Sequence, residues 1–157
     1  RARARAALVN PLVRLTAVPQ RLDGRNGKEI LQGVHLVVDA VDSIPARLML
    51  QGVAEELGVP LIHGAVAGWY AQVTTVYPGD RSLDRVYGSR SGAAGRERGI
   101  EAELGNLAFG PAAVAALQAA EAVKVLTGKG EGLRKRLLVL DLLENEYEIL
   151  NLAQDGA

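Results

Sequence analysis

An α/β fold organised around a parallel strand, helix and strand unit is the class that this sequence predicts, and three observations carry it. The runs Val34-His35-Leu36-Val37-Val38 and Val59-Pro60-Leu61-Ile62-His63-Gly64-Ala65 are short, apolar and rich in β-branched residues, the pattern of parallel strands buried on both faces. Between them, Ser43 offers a helix cap and Pro45 is tolerated in the first turn. Leu48, Leu50, Val53, Ala54 and Leu57 then supply an apolar face that stops at Gly58. The chain of 157 residues is 48% hydrophobic with a mean hydropathy of +0.09, which is core material where a disordered segment has too little. At this spacing the crossover between the two strands is right-handed.

The remaining elements follow in chain order. Residues 1–10 are strong helix formers with charges at Arg1, Arg3 and Arg5, stopped by Pro11 and carrying no start signal. Leu12 to Val18 alternates apolar and polar positions and predicts a strand with one wetter face. Asp23-Gly24-Arg25-Asn26-Gly27 is a turn cluster, and Lys28 to Gln32 suit one helical turn behind it. Trp69 to Tyr77 has high β-propensity after Gly68 and predicts an antiparallel strand. The glycine- and charge-rich stretch of residues 78–110 predicts a long mobile loop. Pro111 to Leu126 predicts an amphipathic helix ended by Gly128, with Glu121 and Lys124 on its solvated face. Arg136 to Asp141 and Glu146 to Leu150 predict a hairpin. The expectation is therefore one domain over residues 1–157.

Composition excludes several classes of function. With 18 Lys+Arg against 18 Asp+Glu there is no broad basic surface for nonspecific nucleic-acid binding, and no apolar run approaches the ~20 residues of a membrane span. Zero Cys removes a disulfide framework, a thiolate metal centre and covalent catalysis on cysteine. A soluble cytoplasmic protein that binds neither nucleic acid nor membrane is the expectation.

Candidate chemistry collects where a buried parallel strand ends, the place where α/β sheets bind ligands. Asp39 and Asp42 stand there, and the spacing serves a Mg²⁺ ligand and a helix cap equally well. His63 ends the second strand in the equivalent place, where a lone histidine is more often packed than catalytic. Arg47, one turn into the helix, suits a ligand contact, an interface or a surface charge. Gly24-Arg25-Asn26-Gly27-Lys28 lacks phosphate-loop spacing and follows no buried strand, so it reads as a turn. Gly128-Lys129-Gly130-Glu131-Gly132 follows a helix, whereas a phosphate loop precedes one.

Taken in order, several segments resemble the ThiF/MoeB/HesA group of ubiquitin-activating-enzyme-like adenylyltransferases. They are Asn10-Pro11, Val37 to Ser43 with Arg47, Val59 to Ala65, Gly68 to Val73, Gly105-Asn106 with Pro111, and Gln118 to Gly128. The resemblance covers nearly the whole chain, and its weight lies in the order and spacing of motifs that are individually weak. It implies a Rossmann-like doubly wound sheet, parallel strands followed by antiparallel strands and a C-terminal hairpin. It implies an ATP- and Mg²⁺-dependent enzyme that adenylates the C-terminal glycine carboxylate of a ubiquitin-like β-grasp sulfur carrier, for molybdopterin or thiamine type sulfur transfer, and that works as a homodimer. Asp42 is implied as the residue contacting Mg·ATP, with Ser43 (where the group usually has Asn) and Arg47 as further cofactor-binding residues. Residues 78–110 would be the loop crossing over the carrier tail. Relatives often hold a cysteine in that loop and zinc-binding cysteine pairs nearby; neither exists here, so thioester, persulfide and zinc roles are not implied.

The group's first strand, glycine-rich phosphate loop and ribose-binding acid would all precede Arg1. The resemblance therefore implies a member lacking its N-terminal βαβ portion and inactive by itself. In the strand order 3-2-1-4-5-6, Leu12 to Val18 and Val34 to Val38 would flank two absent strands, about 14 Å apart at ~4.8 Å per strand, unless they pair with one another. The alternative to an enzyme is a noncatalytic module that docks a β-grasp partner or a second copy of itself.

Overall fold

The computed structural model describes residues 2–88, 105 and 107–153. Among the described residues ten elements follow one another: α1 (Ala2–Val9), α2 (Gly27–Ile30), β1 (Val37–Val38), α3 (Ile44–Leu57), β2 (Leu61–Ala67), β3 (Tyr70–Val76), α4 (Ser82–Tyr87), α5 (Phe109–Thr127), β4 (Arg136–Asp141) and β5 (Glu146–Asn151). The five strands form one sheet in sequence order, with β1 parallel to β2 and every later pair antiparallel. The expected α/β class holds, with a parallel start, an antiparallel continuation and a C-terminal hairpin.

Helix α3 begins and ends where its residues require. Ser43 is extended and its Oγ accepts from the Ala46 N–H at 3.4 Å. Gly58 closes the helix in the left-handed region at φ 70°, which costs glycine little. Its inner face places Ile44, Leu48, Leu50 and Ala54 against Val37, Leu61, Val76 and Leu83, one of two core clusters. Full burial is worth roughly 1.5–3 kcal/mol for each large aliphatic side chain. The second cluster joins Val114 of α5 to Ala71, Val73, Leu133 and Leu140.

Strand alternation decides what each cluster sees. Val37 pairs with Leu61, and Leu61 with Val76, so these side chains share the face that α3 covers. Two residues on, Asp39 and His63 fall on that same face. Gly64, the next residue, points to the opposite face and lets α5 approach: a Cβ there would lie 2.5 Å from Val114 Cγ1 and 2.7 Å from the Gln118 side chain. Gly64→Ala is accordingly expected to lower the unfolding free energy by about 1–3 kcal/mol through overpacking. Chemical denaturation checks this, and an unchanged midpoint would contradict the close seat of α5 on β2.

Several elements differ from expectation. Leu12 to Val18 forms no strand: its residues lie exposed as irregular backbone, Leu12 being 92% accessible, because alternation alone provides no neighbouring strand to bond. The two alternatives for this segment, a gap beside β1 or pairing with it, reduce to an outer edge of β1 that pairs with no strand among the described residues. Strand β1 keeps two residues of the expected five, since the Val34 N–H is taken up by Leu31 O in a turn. Strand β2 runs on to Ala67, and residues 78–110, expected as a loop, contain helix α4 and the start of α5. The rest of that loop lies outside the described residues.

By length and composition α5 meets the criterion for a membrane span, contrary to the expectation of no such run. Its inner face nevertheless carries buried Gln118 and Glu121, both hydrogen-bonded inside the protein. Glu121 also corrects the expectation of a solvated pair with Lys124. It is 2% exposed and accepts from Thr75 Oγ1, the Leu133 N–H and Lys124 Nζ at 2.7–2.8 Å, tying α5 to β3 and to the segment before β4.

Candidate functional site

The carboxyl end of β1 is held by a buried polar network. Asp39 continues the parallel ladder by donating its N–H to Ile62 O, and its side chain is 1% exposed. Oδ2 accepts from Arg47 Nη1 at 2.9 Å and lies 2.6 Å from His63 Nδ1, while Oδ1 accepts from the Val41 N–H at 3.0 Å. Arg47 Nη1 also donates to Gly64 O at 2.8 Å. From the other face of the sheet, Gln118 Nε2 donates to Asp39 O at 2.8 Å and Ile62 O at 3.2 Å. A buried ion pair needs such accompanying bonds, because Coulomb attraction alone does not offset desolvation.

The hydrogen bonds also assign the tautomer of His63. A carboxylate only accepts, so Nδ1 carries the proton and Nε2 is left as an acceptor. Tyr87 Oη lies 3.0 Å from Nε2 and itself accepts from Gln72 Nε2. The imidazole is fully buried and meets the Tyr87 ring edge to face, with centroids 5.6 Å apart.

Burial pushes the Asp39 carboxyl up, but the hydrogen bond from His63, the Arg47 charge and the Val41 N–H outweigh it, leaving the group below its ordinary value. Burial pushes His63 down, and the Arg47 charge adds to this against the opposing pull of Asp39. Burial likewise raises Glu121, yet the bonds from Lys124, Leu133 and Thr75 bring it below the ordinary value.

These directions give stability a pH dependence. The unfolded chain takes up a proton on His63 near the ordinary value of about 6.5, whereas the folded protein resists until lower pH, so acidification through that window favours unfolding. The depressed carboxyls contribute stability that is complete above their ordinary values of about 4 and is lost as pH falls through the folded ones. We expect the denaturant midpoint to be level above about pH 7, to decline from about 6.5 downward and to fall again below about 4. A midpoint level from pH 7.5 to 5 would contradict the buried, neutral His63.

Asp42 stands apart from this network. It is exposed, between the Val41 N–H pinned to Asp39 and the Ser43 cap, so its carboxylate faces solvent at the amino end of α3. A single exposed carboxylate suits Mg²⁺, which is commonly held by one or two protein carboxylates with the remaining positions taken by substrate phosphates and water. Among the described residues no group of three or more His, Asp and Glu could enclose a metal. Ser43 is occupied as the cap, and Arg47 is 6% exposed with its Nη1 committed to Asp39 and Gly64, an inward placement that corrects the expectation of a surface charge.

The structure thus brings Asp39, Arg47 and His63 together and leaves Asp42 at the mouth. Gln72, Tyr87 and Gln118 were not singled out individually from the sequence, since no local spacing relates them to Asp39. The turn at Gly24 to Lys28 behaves as expected: Asp23 Oδ1 accepts from the backbone N–H groups of Arg25 and Asn26, which are therefore not free for phosphate.

Comparison with known proteins agrees with this architecture. The model of the ThiF family matches residues 1–156. The chain is 36% identical over 140 residues to the SAMP-activating enzyme E1 of Haloferax volcanii, covering 89% of this chain and 51% of that protein. It is 36% identical over 159 residues to the sulfur carrier protein adenylyltransferase of Thermus thermophilus, covering 98% and 58%. With the molybdopterin-synthase adenylyltransferase of Salmonella typhimurium it shares 28% identity over 159 residues, covering 98% and 61%. The chain thus spans about half the length of the first curated relatives it matches. Among solved structures it superposes on E. coli MccB with MccA-N7isoASN at a TM-score of 0.75 and on PaaA at 0.70. Both are 14% identical, and the matches cover 98% and 96% of this chain and 48% and 46% of theirs.

Proposed function

The chain belongs to the ThiF family, and from that premise we propose that it serves an ATP-dependent adenylyltransferase acting on the C-terminal glycine carboxylate of a ubiquitin-like sulfur carrier. The observation that carries the reading is Asp42: an exposed carboxylate held between two pinned backbone points beyond the end of a parallel strand. The names of the relatives, a SAMP-activating enzyme and two adenylyltransferases, support the reaction class.

In such a reaction a carboxylate oxygen of the carrier bonds to the α-phosphorus of ATP, the bond to the bridging oxygen breaks, and pyrophosphate leaves. Catalysis then rests on in-line positioning and on neutralising charge at the phosphates. Asp42 would hold a Mg²⁺ ion, which supplies that neutralisation when bound. The amino end of α3 adds the partial positive charge of its N–H groups. Asp39 and Arg47 act from behind, fixing the turn on which Asp42 stands, and contribute no atom to the reacting centre.

We place the protein in the cytoplasm as a homodimer, for which the exposed Val123 and Leu126 of α5 offer apolar surface. Residues 1–157 by themselves hold, in this reading, too little of the ATP site to turn over: the outer edge of β1 is unpaired among the described residues, and the Gly24 turn has its N–H groups occupied. Calorimetric titration with ATP·Mg²⁺ checks the point, and micromolar binding by this chain alone would contradict it.

The function itself is tested by pyrophosphate release from ATP, Mg²⁺ and a glycine-terminated β-grasp carrier, using the protein in which this chain occurs. Release that disappears when the terminal glycine is removed is expected. A carrier that binds without release would favour a second reading, a noncatalytic docking module, for which the exposed Tyr147 and Ile149 on β5 provide a contact face.

A further inference from the structure

We propose that His63 is a positioning residue that carries the placement of α4 to the turn bearing Asp42, an inference that rests on the adenylation reading for its functional consequence. The geometry is a one-way chain of donors. Gln72 Nε2 donates to Tyr87 Oη, Tyr87 Oη to His63 Nε2, and His63 Nδ1 to Asp39 Oδ2. Asp39 Oδ1 then accepts the Val41 N–H, one residue before Asp42. Tyr87 is the last residue of α4, and Asp39 follows directly on β1, so two distant segments meet through one imidazole.

Burying a histidine completely is unfavourable unless both ring nitrogens are satisfied, and here each has a partner at 2.6–3.0 Å. Asp39 cannot rotate to follow a different donor without releasing Val41, because Arg47 fixes the same Oδ2 from the α3 side. Displacement at the Tyr87 end is therefore passed toward the Val41–Asp42 turn.

The two amide replacements of histidine separate this role from simple packing. Asparagine puts an N–H where Nδ1 stands and keeps the bond to Asp39. Glutamine reaches the Nε2 position, keeps Tyr87 and leaves Asp39 short of a donor. In the protein in which this chain occurs, His63→Gln is expected to raise the half-saturating Mg²⁺ concentration for pyrophosphate release about tenfold, the scale of losing an outer partner of a metal ligand. His63→Asn, which keeps Asp39 but gives up Tyr87, is expected to raise it by less than His63→Gln does.

Hydrogen exchange at the Val41 amide reads the same geometry without catalysis: fastest in His63→Gln, and accelerated more weakly in His63→Asn, which loses only the Tyr87 bond. Should His63→Gln fail to fold, Tyr87→Phe, which leaves the His63 to Asp39 bond in place, is expected to accelerate Val41 exchange more weakly. Equal Mg²⁺ shifts and equal Val41 exchange in the two His63 variants would overturn the proposal, as would parental Val41 exchange in Tyr87→Phe. A parental protein that releases no pyrophosphate while Val41 still distinguishes the variants would overturn the adenylation reading and leave the positioning role standing.

Discussion

Asp39→Ala is expected to lower the unfolding free energy by about 3–5 kcal/mol, the cost of leaving a buried charge without its partner. Arg47 is 6% exposed, and after the substitution its guanidinium retains Gly64 O, a neutral acceptor, in place of a carboxylate. His63 Nδ1 and the Val41 N–H lose their acceptor in the same step. Against the roughly 5–15 kcal/mol that a typical domain possesses, such a loss is large. The double variant Asp39→Ala with Arg47→Met should recover part of it, since no uncompensated charge then remains. Denaturant unfolding of the two single variants and the double variant measures the coupling. A loss below about 1 kcal/mol for Asp39→Ala would show that the pair is not the buried ionic contact described.

Asp42→Asn should behave in the opposite way. The residue is exposed, with neither of the bonds that flank it made by its own side chain, so its stability should change by no more than about 0.5 kcal/mol. Adenylation by the protein in which this chain occurs should nevertheless fall about 10²–10³-fold, the scale of removing one well-placed electrostatic contact to the transition state. The contrast between the two aspartates is itself informative. In the proposed reading Asp39 carries stability, whereas Asp42 carries chemistry and is replaceable without unfolding the protein. Parental turnover in Asp42→Asn at saturating Mg²⁺ would remove Asp42 from the nucleotide site.

How much of this could be read from the chain depended on whether the deciding interaction was local. Helix α3 was legible because Ser43, Pro45 and Gly58 act on their own neighbours. The hairpin of β4 and β5 was legible because an apolar run, Leu137 to Leu140, and a segment with Tyr147, Ile149 and Leu150 lie on either side of a short connection. Leu12 to Val18 shows the reverse: period-two alternation describes a strand that has found a neighbour, and nothing in the segment says whether one is present. Helix α4 was missed because Leu83 is its one large apolar buried residue in a charge-rich stretch. Glu121 with Lys124 has the spacing of a surface pair, and only the approach of Thr75 and Leu133 turns it into a buried lock.

The site divides along the same line. Asp39, Asp42 and His63 could be named from their positions at strand ends. That Asp39 and His63 touch follows from the parallel register of β1 on β2, which brings residues 24 apart side by side. The inward turn of Arg47 follows from the same register, since it places Asp39 and Gly64 O together within reach of one guanidinium nitrogen. Tyr87 enters from a helix that no periodicity announced.

The most direct test of an adenylation centre follows an oxygen atom. A carrier whose C-terminal carboxylate is labelled with ¹⁸O is incubated with ATP, Mg²⁺ and the protein, the product is trapped with hydroxylamine, and the released AMP is examined by mass spectrometry. Attack of the carboxylate on the α-phosphorus leaves one labelled oxygen in AMP, and that is the expected result. Unlabelled AMP, or ADP and phosphate as the products, would contradict the account.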